Sequence, residues 1–101
     1  MTNIEKQMEF LNYLEENVWS EAEQFGKEHN NKHLVQGIRL TRLRLSKLPT
    51  VEKMLHFFWS AIEGTEKSIN FSDIMKDNGL TRFEDILEDV RTKFNDEWLR
   101  R

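Results

Sequence analysis

Apolar residues recur at spacings of three and four through most of this 101-residue chain, the period of a helix with one buried face. Ile4, Met8, Leu11, Leu14, Val18, Ala22 and Phe25 predict a first helix over residues 3–26. Six glutamates, from Glu5 to Glu23, lie mostly off that stripe, while Phe10, Tyr13 and Trp19 widen it. Gly26 is the expected stop, and the polar run 27–32 the turn after it.

Residues 33–47 predict a second helix with a less simple pattern. Leu34, Val35, Ile38, Leu45 and Leu48 fall on one side at about 100° per residue, and Leu40 and Leu43 on the other. A helix apolar on two sides belongs at the centre of a bundle or between subunits. The rival reading is a strand, because Arg42-Leu43-Arg44-Leu45 alternates with period two. Pro49 closes the segment by pushing its predecessor out of helical geometry. Val51, Met54, Leu55, Phe58 and Ile62 predict a third helix over residues 50–63, ended by Gly64. A connection over 65–71 leads to a short helix at 73–77, capped by Ser72 and terminated by Asn78-Gly79. Thr81-Arg82-Phe83-Glu84 fits a capping box, and Phe83, Ile86, Leu87, Val90, Phe94 and Trp98 carry a last helix toward the C-terminus. The expected fold is all-α: one domain over 1–101, four to five helices around one core, with the 34–48 helix near its centre.

Composition supports helix over sheet. Four glycines and one proline are too few for the turns of a small β protein. A chain this short buries one modest core. Cysteine is absent, which removes disulfides, thiolate metal sites and cysteine nucleophiles. No apolar run approaches the roughly 18 residues of a membrane span, and MTNIEKQMEF lacks the basic and apolar regions of a signal peptide. The expected location is cytoplasmic, with no membrane attachment.

Charge is segregated. Residues 1–31 hold seven acids and two bases, residues 32–53 six bases and one acid, and residues 54–101 ten acids and seven bases. The basic middle has Arg39, Arg42, Arg44 and Lys47 among its leucines, with no acid between 34 and 48. Either the acidic flanks pack against these cations, or an anionic partner or acidic protein surface does. On a helical wheel the four are spread around the cylinder, a poor arrangement for tracking phosphates. Nucleic-acid binding through 32–53 is therefore the alternative function, not the leading one.

Catalytic signatures are missing: there is no Gly-rich phosphate loop, G-x-S-x-G or dinucleotide fingerprint. His29 and His33 have a helical metal-ligand spacing but straddle Asn30-Asn31, a turn dipeptide; no metal or cofactor is expected. The stretch 72–98 has a helix-turn-helix outline, yet its second helix opens with Glu84 and Asp85, where a groove reader needs cations or amides. Aromatics are the remaining pointer. Trp19, Trp59, Trp98 and Phe57, with Phe10 and Phe58, are many large side chains for one small core. A compact bundle can absorb them; interfaces are also enriched in aromatics, Met and Arg. The first four are the expected anchors of an interface, in the first instance a homodimer. The expected function is a small non-enzymatic protein-binding module of bacterial or phage type, acting as an adaptor, inhibitor or regulator on a protein partner.

Overall fold

The computed structural model describes residues 2–63, 75, 77, 79, 80 and 82–101. The fold is all-α, and no strand occurs among the described residues. In chain order the elements are α1 (Asn3–Leu14), a π-helical segment (Glu15–Trp19), α2 (Ser20–Glu28), α3 (Lys32–Ser46), α4 (Val51–Glu63), α5 (Phe83–Lys93) and α6 (Asp96–Leu99). The expected short helix at 73–77 lies outside the described residues apart from Met75 and Asp77, which are both helical. Its expected stop holds: Gly79 has φ +104°, and Leu80 N–H donates to the Met75 carbonyl at 2.8 Å. That bond is the wider of the two in a Schellman motif.

The first helix departs from its predicted register. α1, the π segment and α2 run on without a break, but the π segment inserts one extra residue. Ser20 N–H reaches back to the Glu15 carbonyl, Asn17 Nδ2 donates to the Tyr13 carbonyl at 3.0 Å, and Ser20 Oγ to the Glu16 carbonyl at 2.8 Å. The wide turn buries two consecutive residues, Val18 and Trp19. On its C-terminal side the core face is Ala22 and Phe25, as the spacing predicts; on its N-terminal side it is Phe10 and Leu14. Ile4 and Met8, expected in the core, are left 68% and 58% exposed.

Gly26 does not end α2, which runs on to Glu28. A Cβ at Gly26 would lie 2.8 Å from Val35 Cγ2, so its missing side chain is what lets α2 and α3 approach. The stop is Asn30, at φ +53°. Asn31 N–H donates to the Gly26 carbonyl at 2.8 Å and Asn30 N–H to the Lys27 carbonyl at 3.2 Å, a Schellman motif with asparagine in the left-handed position. Asn31 Oδ1 then accepts from Leu34 N–H at 3.0 Å and caps α3. One asparagine ends a helix and the next begins another.

α3 is helical from Lys32 to Ser46, so the strand reading is discarded. α4 matches its predicted span and buries Val51, Met54, Leu55, Phe58 and Ile62. The last helix is broken where continuity was expected. Asn95 Oδ1 accepts from Trp98 N–H at 2.9 Å and starts α6 anew. α5 begins at Phe83, and Thr81 of the expected capping box lies outside the described residues. Lys6 Nζ donates to the Leu99 carbonyl at 2.6 Å and Trp98 Nε1 to Glu9 Oε2 at 3.3 Å, fastening the last turn to α1.

The core is aromatic. Phe58 meets Phe10 and Trp19 edge-on at 5.9 and 5.8 Å, and Phe94 meets Phe10 and Trp98 at 4.9 and 4.7 Å. Each buried ring of this kind stabilises the fold by roughly 1.5–3 kcal/mol through burial, with about 0.5–1.5 kcal/mol more from a well-placed aromatic pair. Bulky rings thus fill a small interior with few residues.

Candidate functional site

α3 packs through one face only. Leu34, Ile38, Thr41 and Leu45 are buried at three- and four-residue spacing. Thr41 is tolerated there because its hydroxyl donates to the Gly37 carbonyl at 2.8 Å. Lys32, Gln36, Leu40, Leu43 and Lys47 share the opposite strip, and Leu40 and Leu43 are 54% and 52% exposed. The expectation of a helix near the centre of the bundle is thereby corrected. Arg39, Arg44 and Lys47 are exposed, and Arg42, at the edge of the packed face, is partly buried.

These four cations divide into two pairs. Arg42 holds Glu15 in a two-pronged contact, its Nε donating to Oε2 at 3.0 Å and its Nη2 to Oε1, and Nη1 reaches Glu23 at 3.3 Å. Arg39 donates to the other Glu23 oxygen at 3.3 Å, and Lys27 sits 3.5 Å from the same atom. Burial alone would raise the Glu23 pKa. The Arg39 hydrogen bond and the Lys27 charge outweigh it and hold the carboxyl below its ordinary range. Arg39 and Arg42 are therefore answered internally by the acidic first third of the chain. Arg44 and Lys47 are exposed and have no ion pair among the described residues.

The interface aromatics fall elsewhere. Trp19 and Trp98 are 2% and 4% exposed and belong to the core, so their expected role as surface anchors is corrected. Phe57 and Trp59 are half-buried on α4, and the Arg91 guanidinium covers the Trp59 ring at 4.4 Å from its centroid.

A groove of about 530 Å³ runs between α3 and the first helix. Leu11, Trp19, Leu43 and Leu45 supply its apolar lining, and Glu15, Arg39 and Arg42 its charged lining. Asn3 and Gln7 both donate to the Pro49 carbonyl, and Glu15 meets Arg42, so α1 and α3 run antiparallel along it. Ile4 and Met8 continue the Leu11 stripe on α1, and Leu40 continues Leu43 on α3. The result is an exposed apolar band on two helices, with Leu11 and Leu43 both in the lining of the groove between them. Sequence reasoning missed the α1 half of this band. The available signal was that Phe10 and Tyr13 competed with Ile4, Met8 and Leu11 for the same core.

A second cleft, of about 500 Å³, lies at the α2–α3 elbow, where Lys27, Lys32 and Arg39 are accompanied by Asn30, Asn31 and Gln36. Two of its three cations are already engaged by Glu23. His29 Nδ1 lies 3.0 Å from the Phe25 carbonyl, while His33 lies within α3, beyond the turn. Among the described residues, no cluster of three or more metal-binding side chains occurs, and no helix is long and apolar enough to cross a membrane. No family model, curated protein or solved structure matches this chain.

Proposed function

We propose that this chain is a small non-enzymatic protein-binding module, an adaptor, inhibitor or regulator, whose contact face is the outward strip of α3 with the adjoining groove. The observation that carries the reading is the exposure of Leu40 and Leu43 within an acid-free run of cations. Isolated exposed leucines are ordinary, but exposed apolar side chains on two helices beside one groove are the kind of patch that marks an interface. Arg44 and Lys47, without ion-pair partners among the described residues, give the band a cationic edge suited to an acidic protein surface. Leucines would provide the desolvated contact and the cations orientation and rate. The absence of cysteine fits action in the reducing cytoplasm.

Nucleic acid is the competing ligand class for the same cations. Phosphate contacts need cations and amides rather than two half-exposed leucines between them, and half of the expected basic set is bound to Glu15 and Glu23. The deciding experiment is recovery of bound partners from the native host, with and without nuclease, using the wild type and Leu40→Glu/Leu43→Glu. A protein that survives nuclease and is lost with the double variant supports the reading. Recovery that depends on nucleic acid, falls steeply with salt and ignores the leucines overturns it.

A further inference from the structure

We infer that the cleft at the α2–α3 elbow binds a small phosphate monoester, independently of the proposed protein-binding face.

The cleft has a volume of about 500 Å³, inside the roughly 300–1,000 Å³ of ordinary small-molecule sites. No acid lines it. Lys27 from α2 and Lys32 and Arg39 from α3 supply three cations, and three side-chain amides from the turn and α3 stand among them. Gly26 is buried and Val35 half-buried, so these two form an apolar floor. The donors are side chains, because Leu34 N–H and Val35 N–H at the start of α3 already donate to Asn31.

Two of the cations already converge on one point. Arg39 Nη2 and Lys27 Nζ, from different helices, approach the same Glu23 oxygen at 3.3 and 3.5 Å. Glu23 lies outside the lining and holds both side chains beside the cleft. Lys32 is exposed and has no ion pair among the described residues. Arg42 also reaches Glu23 but is balanced by Glu15, and Glu28, outside the lining, accepts from Gln24. Three cations against the Glu23 carboxylate therefore leave a surplus of two positive charges at the cleft.

That surplus selects the ligand. A carboxylate or sulfonate carries one charge and leaves half of it unanswered. A phosphate monoester carries about −1.5 to −2 at pH 7, on three strong acceptor oxygens. Arg39 offers it a fork of donors, and the two lysines compact point charges. The amides complete its hydrogen bonds, and its organic group rests on Gly26 and Val35. The cations are exposed, so solvent and salt screen them and the affinity falls between high micromolar and millimolar.

The test is a titration of the full chain, followed residue by residue by amide NMR, with phenyl phosphate at slightly alkaline pH. Benzenesulfonate, with the same ring and a single charge, is the control. The expected result is saturable shifts centred on Gly26, Asn31, Val35 and Gln36, with phenyl phosphate binding about tenfold more tightly than the sulfonate. Lys32→Gln and Arg39→Gln should each weaken it by about tenfold, the loss of one charge-assisted contact. Lys32→Gln removes no ion pair among the described residues, so it remains informative if Arg39→Gln disturbs the fold. Shifts that never saturate, that appear equally around Arg44 and Lys47, or that ignore Lys32 and Arg39 overturn the inference. Equal affinity for the sulfonate overturns it as well. A phosphoserine peptide that binds where phenyl phosphate does not overturns the small-ligand assignment and gives the cleft to a protein partner.

Discussion

Arg42 Nε donates to Glu15 Oε2 at 3.0 Å, tying the middle of α3 to the first residue of the π-helical segment. The same guanidinium reaches Glu23 on the far side of that segment, 3.3 Å away. One side chain therefore spans the register shift. Its side chain is about a third exposed, so solvent screens the interaction. Arg42→Gln should lower stability by roughly 0.5–1 kcal/mol, and by less as salt rises. Arg44→Gln, with no pair to lose among the described residues, should stay within about 0.5 kcal/mol of wild type. Urea denaturation at two salt concentrations distinguishes the two cations.

Glu23 gives the acid limb of the stability profile. Its folded pKa is lowered from the ordinary 4.5, because Arg39 and Lys27 outweigh the effect of burial. A carboxylate depressed on folding stabilises above its unfolded pKa and loses that contribution as pH falls through the folded value. Wild type should therefore melt above Glu23→Gln at neutral pH, and the gap should close as pH drops below about 4.5. Thermal melts of both proteins from neutral to strongly acidic pH measure this; a gap independent of pH would contradict it.

Gly26 is a packing glycine. An added methyl gains up to about 1 kcal/mol of helix propensity but meets the stiff Val35 side chain at 2.8 Å. Overpacking of this kind costs about 1–3 kcal/mol, so Gly26→Ala should destabilise. In a Val35→Ala background the same change should be less harmful by about 1 kcal/mol, a coupling read from a double-mutant cycle.

Asn30 occupies the left-handed conformation that closes α2. Asn30→Gly should be neutral or slightly stabilising. Asn30→Ala should lose about 1 kcal/mol, the lower part of the cost of that backbone region for an ordinary residue. Comparative melts suffice, because neither change alters the Asn31 cap on α3.

Helix positions were legible wherever one apolar face dominated. Val51 to Ile62 on α4 offered a single choice, and the helix followed it. The breaks were legible only in part. Asn78-Gly79 announced its stop, but Asn30 was hidden behind the more obvious Gly26, and Asn95 behind the continuing Phe94–Trp98 spacing. α1 misled for a physical reason: two apolar stripes share it, and local periodicity cannot say which one the partner helices will take. The α3 face was half legible. Leu40 and Leu43 stood apart on the wheel, yet whether that meant a central helix or an outer one depended on what packed against them. The paired arginines followed from charge segregation; which two would be paired required the antiparallel alignment of α1 and α3.

The π-helical segment works as a phase step. One additional peptide unit turns α1 by about 100° relative to α2. Without it, the stripe from Ile4 to Phe25 would run unbroken along one side, and the same composition would present a polar exterior there. With it, Phe10 and Leu14 go inward while Ile4 and Met8 face out. The capacity of α1 to make an external contact is thus encoded as backbone phase rather than residue content. Removing a single residue between Glu15 and Trp19 would rewrite the outer surface of the helix while leaving almost every side chain in the chain.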